Sequence, residues 1–439
     1  MKRYPTYKPS GVKWMGEVPE GWKLVPLWAM FRRVKRTDYP DAELLSVYRD
    51  YGVVPKSSRD DNFNKPSEDL SQYQLVEPGD LVINKMKAWQ GSVAVSKYRG
   101  IVSPAYFVFT PKHDQCDRFL HYLMRSAEYT FSYLTVSKGI RPNQWDLEPQ
   151  EHSQMAVLLP PPSEQAAIAA FLDRETAKID ALVEEQRRLI ALLAEKRQAV
   201  ISHAVTKGLD PTVPMKDSGV EWLGEVPAHW GISRVKNAAS HVVDCLHTTP
   251  AYDGDVEFPA VRTADLQRGK LLLHQARLVS HEVYLDRIQR LPPIAGDVLY
   301  SREGERFGMA ALVPAGVDLC LGQRMMMFRI KATYHSGYVM WALNSEAVFQ
   351  QVLAKVAGAT SPHVNITDIV NFHIPTPPPS EHAKIYDYIN EQIIRIDNLT
   401  DEAESSITLL QERRAALISA AVTGKIDVRG LVPAVEEAA

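Results

Sequence analysis

The stretch PPPSEQAAIAAFLDRETAKIDAL, residues 160–182, is followed later in the chain by a close copy, PPPSEHAKIYDYINEQIIRIDNL, residues 377–399. The two copies lie 217 positions apart and stay aligned without a gap through a shared Ala-Val-Thr at 204–206 and 421–423. Self-similarity at a fixed shift indicates a duplicated architecture. The chain is therefore expected to be built from two equivalent halves.

Each copy predicts a long helix. A proline run cannot continue a helix backwards, and Ser163 and Ser380 are suitable N-cap residues, each followed by an acid that the helix dipole favours. No further Gly or Pro occurs until Gly208 and Gly424. We therefore expect two helices of about 42 residues, roughly 63 Å each, which is far longer than a typical globular helix.

Apolar residues along both helices follow a heptad-like spacing, which predicts helix pairing. The predicted pairing positions are Ile168, Leu172, Ile179, Leu182, Leu189 and Leu193, continued by Val200, in the first helix, and Ile385, Ile389, Ile396, Leu399, Leu410 and Leu417 in the second. The alternative is that each helix packs only on its own globular domain. The stripe is longer than a domain face of about 30 Å, which favours pairing. The second helix departs from the first at 404–406, where Ser406 replaces the stripe leucine Leu189 and the local charge reverses.

A second repeat opens each half. SGVKWMGEVPEGW at 10–22 returns as SGVEWLGEVPAHW at 218–230, with nine identical positions and both tryptophans retained. Between the repeats, Gly79-Asp80 aligns with Gly296-Asp297, and the residues that follow alternate between apolar and polar as in half-buried strands. Helical patches follow in equivalent places, at 118–134 and 336–353.

These repeats divide the chain into five segments. The expected boundaries are a first domain at 1–159, a first long helix at 160–209, a second domain at 210–376, a second long helix at 377–427 and a tail at 428–439.

The composition excludes several classes of protein. The three cysteines lie far apart without a CxxC pair, which argues against a zinc ribbon or a disulfide framework and favours a reducing cytoplasm. Neither a signal peptide nor a membrane-length apolar run is found. The net charge of -3 hides a basic segment at 1–40, with nine Lys or Arg against three acids. A solvated arm and a phosphate-contacting arm are equally compatible with that segment.

Motifs for chemistry are missing. The sequence contains neither a Gly-rich methyl-donor loop with an Asn/Asp-Pro-Pro-aromatic motif nor a GxxxxGK[ST] phosphate loop. Asp80 with Asn84-Lys85 suggests a metal nuclease only weakly, because the second half has Ser301-Arg302 at the equivalent place. No histidine sits at zinc-ligand spacing, so no metal site is expected.

The order of these motifs, which covers nearly the whole chain, closely resembles the specificity subunits of type I restriction-modification systems. The resemblance implies an α+β chain with a pseudo-two-fold repeat: two similar mixed α/β target-recognition domains joined by two long antiparallel helices that form a coiled coil. It further implies a non-catalytic, cytoplasmic subunit in which each domain reads one half of a split site in double-stranded DNA. Two modification subunits would dock on the helices and restriction subunits would join them. S-adenosylmethionine, ATP and magnesium would be bound by those partners.

The two middles have diverged, so base-reading residues are nominated from chemistry alone. Arg, Lys, Asn and Gln make the bidentate contacts that distinguish guanine and adenine. The candidates are Lys85, Lys87, Trp89, Gln90, Arg141, Asn143 and Gln144, beside Trp145, in the first middle, and Arg302, Arg306, Gln323, Arg324, His363 and Asn365, beside Ser361, in the second. A structural or solvated role is equally compatible with each residue taken singly. An adaptor whose helices bind proteins and whose middles do not bind DNA is the alternative function.

Overall fold

A computed structural model shows the arrangement of the chain. It describes residues 2–49, 51–59, 65–141, 144–253, 255–304, 306–356 and 363–431. The chain separates into two compact units, one formed by Met1–Gln186 with Glu404–Ala439 and the other by Arg187–Ala403. Each unit thus contains one of the two divergent middles and about one half of each long helix.

A four-stranded antiparallel sheet forms the centre of the first unit. Its strands, in spatial order, are Phe31–Val34, Tyr106–Pro111, Leu81–Asn84 and Val93–Val95. Side chains alternate between its faces. Leu81 and Ile83 join a large core with Trp22, whereas Val82 joins a smaller core on the opposite side. Both faces of this strand are therefore buried, so the prediction of a half-buried strand is wrong here: Leu81, Val82 and Ile83 form an uninterrupted apolar run.

The other elements of the first unit surround this sheet. Further strands are Tyr7–Pro9, Glu17–Pro19, Lys23–Pro26, Leu45–Tyr48, Gly52–Pro55, Gln74–Val76, Gly100–Val102, Ser137–Arg141, Gln144–Leu147 and Ala156–Leu159, and helices are Leu27–Met30, Asp117–Met124, Ala127–Thr135 and Pro149–Ser153, with 3-10 turns at Lys56–Ser58 and Ala88–Gln90.

The second unit repeats the sheet with the same topology. Its strands, in spatial order, are Ala239–Asp244, Met325–Ile330, Val298–Ser301 and Ala310–Leu312. Val298 and Tyr300 face the core that contains Trp230, and Leu299 faces a second core. The duplication read from the sequence is thus a duplication of structure.

A three-stranded sheet has no counterpart in the first unit among the described residues. It consists of Arg277–Ser280, Val256–Val261 and Cys320–Leu321. The other elements of the second unit are strands Met215–Asp217, Glu225–Pro227, Gly231–Arg234, Leu266–Gln267, Lys270–Leu271 and His373–Thr376, helices Val235–Ala238, His281–Ile288, Ser336–Leu343, Glu346–Val356 and Ile366–Ile369, and 3-10 turns at Thr263–Asp265 and Leu273–Gln275.

The long helices span Pro162–Lys207 and Pro379–Val422, 46 and 44 residues. Both begin one residue before the expected N-cap serine, because proline is tolerated in the first turn, where its missing N–H has no helical partner. Gly208 follows the first helix with a φ of 76°, a conformation that favours glycine.

The two helical patches expected at 118–134 and 336–353 are each broken into two helices. The breaks fall before Ala127 and Glu346. Ser126 and Ser345 start the second helix of each pair, with hydroxyl oxygens 3.5 Å and 3.4 Å from the backbone nitrogens that donate to them. An apolar pattern cannot reveal such a break when a serine cap restarts the same face.

Candidate nucleic-acid interface and helix seam

The strand that leads to the candidate loops of the first unit is held by Asp80. This buried carboxylate accepts a hydrogen bond from the Glu77 backbone N–H at 2.8 Å and pairs with Arg36. Burial raises the pKa of Asp80. Gly79 precedes it at a φ of 87°, which completes the turn. Asp80 thus fixes the start of the strand.

Asp297 holds the equivalent strand of the second unit. It accepts from the Ile294 N–H at 2.9 Å and from two guanidinium nitrogens of Arg329 at 3.0 and 2.8 Å. Each strand leaves this turn in a fixed direction and delivers the next loop to the same end of its sheet.

In the first unit, three loops meet at what we call the first corner, residues 84–90, 103–105 and 144–147. The Lys85 N–H donates to the Ala105 carbonyl at 3.4 Å, and the Leu147 N–H donates to the Lys85 carbonyl at 3.0 Å. Backbone hydrogen bonds therefore bring together candidates that are separated by about sixty residues in sequence.

The side chains of the first corner combine one ion pair with an apolar surface. Lys85 lies 3.2 Å from a carboxylate oxygen of Asp146. The rings of Trp89 and Trp145 lie 5.0 Å apart, and Met86 is 46% exposed beside them. The indole N–H of Trp89 donates to the Met86 carbonyl at 3.1 Å. The two rings therefore present mostly hydrocarbon to solvent, and the indole N–H of Trp89 is already bonded.

The second corner, residues 301–304, 306, 322–324 and 363–365, has equivalent backbone connections. The Arg302 N–H donates to the Arg324 carbonyl at 3.2 Å, and the Val364 N–H donates to the Arg302 carbonyl at 3.1 Å. The shift of 217 that aligns the long helices also aligns Lys85 with Arg302 and Leu147 with Val364. The two corners are structural equivalents.

Charged side chains fill the second corner. Glu303 lies 2.8 Å from His363, 3.4 Å from Arg324 and 3.4 Å from Arg302. Arg324 has a φ of 69°, which is uncommon for a residue with a side chain and marks a tightly held loop. Its side chain is nevertheless 57% exposed, as is 45% of that of His363.

Sequence reasoning missed three members of this cluster. Glu303 corresponds to Met86 at the shift of 217, so the repeat alignment could have pointed to it. Asp244 and His247 pair with each other at 3.0 Å and contact Arg302. They lie in the region where the two halves differ in length, and no sequence signal singled them out.

The remaining candidates occupy varied positions. Lys87 and Gln90 are exposed, as is Asn365, which precedes the short helix Ile366–Ile369. Arg141 and Gln144 pair across a two-stranded hairpin, and Asn143 lies outside the described residues. Their base-reading role stays a prediction.

Three candidates of the second unit are engaged by other segments of that unit. Arg306 donates to the Ala264 and Leu266 carbonyls at 2.7 and 3.1 Å, and the Gln323 amide donates to the His247 carbonyl at 2.9 Å. Arg302 is 4% exposed and ion-paired with Asp244 and Glu303. We therefore assign Arg302 to supporting the corner, because its guanidinium is not presented at the surface.

The basic N-terminal segment is partly used in packing. Arg33 lies over the Phe107 ring at 4.0 Å and Arg36 pairs with Asp80, whereas Arg32 is exposed on the edge strand. The segment is therefore not simply a solvated arm.

Inward-facing residues of the long helices define what we call the seam. Successive members alternate by three and four positions, as helix pairing requires. They are Thr176, Ile179, Val183, Gln186, Ile190, Leu193 and Arg197 in the first helix, and Ile396, Thr400, Ala403, Ile407, Leu410, Arg414 and Leu417 in the second, all buried or half-buried.

Most predicted pairing positions lie inward. Ile168, Leu172, Ile179, Leu193, Ile385, Ile389 and Ile396 are buried, and Leu410 and Leu417 are half-buried. Three predicted positions do not lie inward. Leu182, Leu189 and Leu399 are 52%, 39% and 46% exposed. In each case the seam instead takes the next residue, Val183, Ile190 or Thr400. At these three positions the predicted stripe is therefore wrong by one residue, because the inward side chain is the next one along the helix.

The ends of the long helices also pack into the domain cores. Ile168 and Leu172 lie in the core of the first unit, and Ile385 and Ile389 in that of the second. Packing on a globular domain and helix pairing, which were posed as alternatives, thus apply to different parts of the same helix.

Two ion pairs relate the long helices across the repeat. Asp180 pairs with Arg414 at 2.8 Å within the first unit, and Arg197 pairs with Asp397 within the second. The shift of 217 converts Asp180 into Asp397 and Arg197 into Arg414, so each pair is the counterpart of the other. The residue number increases from Asp180 to Arg197 on the first helix, while that of the partner decreases from Arg414 to Asp397 on the second. The two helices are therefore antiparallel. These half-exposed pairs mark the register and contribute at most about 1 kcal/mol each.

Among the described residues, no group of three His, Cys, Asp or Glu side chains is placed to hold a metal ion. No described helix is long and apolar enough to cross a membrane.

A family model matches the first part of the chain. Residues 19–190 match the type I restriction modification DNA specificity domain. Two curated relatives extend the similarity over nearly the whole chain. The type I restriction enzyme MjaVIII specificity subunit of Methanocaldococcus jannaschii is 22% identical and the alignment covers 97% of this chain and 98% of that protein. The EcoKI specificity subunit of Escherichia coli is 19% identical, with 94% and 90% covered.

Solved structures share the fold. A chain from a study of complex assembly and conformational transition of the type I R-M system has a TM-score of 0.62 at 17% identity, covering 93% of this chain and 99% of that chain. The HsdS subunit of Thermoanaerobacter tengcongensis has a TM-score of 0.51 at 17% identity, with 93% and 98% covered. These similarities confirm the resemblance to type I restriction-modification specificity subunits and the fold class drawn from the sequence.

Proposed function

We propose that this chain is the non-catalytic DNA-reading subunit of a type I restriction-modification complex, and that each unit reads one half of a bipartite site through its corner. The observation that carries the proposal is the equivalence of the two corners. Backbone hydrogen bonds at matching positions, Lys85 with Leu147 and Arg302 with Val364, assemble three loops in each unit. Side chains suited to base edges or phosphates, such as Lys87 and Arg324, are exposed there.

The long helices support the other half of the proposal. Two modification subunits would dock on them, since a pseudo-two-fold pair of helices offers two equivalent surfaces to two copies of one partner. Restriction subunits would join this assembly. The methyl donor, ATP and magnesium would be held by these partners, and the helices would set the spacing between the two half-sites. We place the whole assembly in the cytoplasm.

A fluorescence-anisotropy titration tests DNA reading. The chain is co-purified with its modification subunits, and this complex is titrated into two labelled duplexes at two salt concentrations. One duplex carries the sequence that the complex methylates, and the other carries a scrambled sequence. We expect affinity to fall with salt for both duplexes, because neutralised phosphates release counterions, and the motif to bind at least about a thousandfold more tightly. Equal affinity for both duplexes would refute sequence reading, and salt-independent or absent binding would favour the adaptor alternative.

The corners are tested by paired variants. Lys87→Ala and Arg324→Ala remove exposed cations, one from each corner, and Lys216→Ala removes an exposed lysine from the strand Met215–Asp217, outside both corners. We expect the first two variants to weaken motif binding and Lys216→Ala to leave it unchanged. If all three behave alike, the corners are not the reading surface.

A further inference from the structure

The two corners have equivalent backbone hydrogen bonds but carry different side chains. We propose that the first corner reads A·T pairs by packing Met86 and Trp89 against a thymine methyl, whereas the second reads guanine through donors on Arg324 and His363. This inference rests on the proposed function and deepens it, because it states which base chemistry each half-site contains.

The first corner offers hydrocarbon and few free donors. Met86 is 46% exposed, and Trp89 and Trp145 form a half-buried pair beside it. The Trp89 N–H donates a hydrogen bond to the Met86 carbonyl, and the Lys85 ammonium forms an ion pair with Asp146 at 3.2 Å. The thymine methyl is the one apolar group on the major-groove base edges, so it is the feature that this surface can distinguish. Methionine suits the contact because its flexible thioether fills irregular apolar gaps.

An exposed amide next to this surface fits the same base pair. Gln90 is exposed, three residues after Lys87. Glutamine makes a bidentate contact with adenine, the partner of thymine. Lys87, also exposed, has the reach and charge for a neighbouring phosphate. The first corner therefore favours A·T over G·C.

The second corner offers donors on a charged support. Glu303 stands where the first corner has Met86, and it holds both His363 and Arg324. Arg324 keeps 57% of its side chain exposed with a single 3.4 Å contact to that carboxylate, which leaves guanidinium N–H groups free to donate. Guanine presents two acceptors, O6 and N7, in the major groove and is the usual target of arginine.

The backbone of Arg324 supports this role. Its φ of 69° places it in the left-handed region, where a side chain is disfavoured. The loop keeps that conformation because the Arg302 N–H donates to the Arg324 carbonyl at 3.2 Å and the neighbouring Gln323 amide donates to His247 at 2.9 Å. A residue fixed in this way loses little further freedom when it meets a base edge, which favours specific contact.

Base analogues test the inference with the intact complex. After methylome sequencing has given the motif, duplexes are prepared with uracil in place of thymine, which removes only the methyl group, or with 7-deazaguanine, which removes only the N7 acceptor. Binding is measured for the wild-type chain and for Met86→Ala and Arg324→Ala, each with its modification subunits, and Lys216→Ala serves as the control.

We expect uracil to weaken wild-type binding about fourfold in one half-site only, as the loss of one buried methyl predicts. The Met86→Ala complex should lose that sensitivity and keep the response to 7-deazaguanine. Deazaguanine in the other half-site should weaken wild-type binding about tenfold, and Arg324→Ala should lose that response. The control should respond as the wild type does.

The inference is overturned if a wild-type complex that binds its motif is indifferent to both analogues, or if Met86→Ala and Arg324→Ala change sensitivity in the same half-site. A half-site assigned to the first corner that lacks thymine overturns it as well. A wild-type complex that binds no sequence preferentially would instead refute the proposed function, so the two failures are distinguishable.

Discussion

A pair of aspartate substitutions on one turn of the first long helix tests the register of the seam. Leu193 is 6% exposed and lies in the seam, whereas Leu189, one turn earlier on the same helix, is 39% exposed. The sequence alone gives both leucines the same role. Because the chemical change and the helix are the same, the comparison of Leu193→Asp with Leu189→Asp isolates burial.

The expected magnitudes differ by several kcal/mol. Removing a buried leucine side chain forfeits about 2–3 kcal/mol of apolar transfer, and a carboxylate left without a partner adds at least about 2 kcal/mol. Leu193→Asp should therefore lower the free energy of unfolding by about 4–6 kcal/mol, out of the roughly 5–15 kcal/mol that holds a native protein together. Leu189→Asp should cost about 1 kcal/mol or less, as exposed positions usually do.

Urea denaturation followed by circular dichroism at 222 nm measures these differences, and size exclusion reports whether the chain stays compact. Leu193→Met provides the control, since a volume-conserving swap should cost less than about 1.5 kcal/mol. If Leu189→Asp lowers the midpoint as much as Leu193→Asp, the seam does not run where the structure places it.

Three further outcomes are expected. The fragment 1–214 should form a two-fold dimer through the repeated ion pairs and, with modification subunits, methylate an interrupted palindrome in cells; methylation of the original asymmetric site by a soluble fragment would contradict the two-half architecture. Burial without hydrogen-bond partners lowers the pKa of His152 to about 4 in the folded chain. Because the unfolded chain takes up this proton near pH 6.5, His152 does not reduce the free energy of unfolding above that pH. Between pH 6.5 and 4 the free energy of unfolding falls by up to about 1.4 kcal/mol per pH unit. Urea midpoints from pH 7 to 5 should decline less in His152→Phe than in wild type, and equal slopes would exclude this origin. Gly269→Ala should destabilise the chain by at least about 1 kcal/mol in the same assay, because its φ is +82° and the new Cβ would lie 2.2 Å from the Trp341 ring; an unchanged midpoint would show that the loop yields freely.

The repeats made the architecture predictable. Identity at a constant shift needs no knowledge of packing, so the paired domains, the two long helices and the strands after Gly79 and Gly296 could be read directly from the sequence. The same alignment anticipated that Lys85 and Arg302 would hold equivalent places. Periodicity is less exact in the helices: the spacing predicts Leu189 in the seam, whereas the structure places Ile190 there. Leucine is the more obvious apolar residue, but which of two adjacent residues turns inward depends on the partner helix.

Side-chain partnership could not be predicted. Arg302 has the chemistry of a base-reading residue, yet Asp244, 58 positions earlier, approaches within 3.4 Å and helps bury it. His247 enters the same cluster from a region where the two halves cannot be aligned. Contacts of this kind depend on how loops from distant segments pack together, and the order of residues in the sequence does not show which loops are in contact.

The two halves of the chain complete each other's cores. Ala421 and Val422, at the end of the second long helix, are buried in the core of the first unit, and Ala204 and Val205, at the end of the first helix, are buried in that of the second. The polar contacts repeat as well: Ser419 donates to Glu128 in the first unit, and Ser202 accepts from the backbone of Glu346 at 2.9 Å in the second.

This exchange gives a physical reason for the pattern of identity within the sequence. The Ala-Val-Thr ends at 204–206 and 421–423 pack against equivalent domain cores, where a change of even one methyl group is felt. The corners, in contrast, present side chains to solvent on a backbone held by its own hydrogen bonds, so Met86 in one half can stand where Glu303 stands in the other. A frame built in this way can change the side chains of one corner without altering the helix ends that close the other unit.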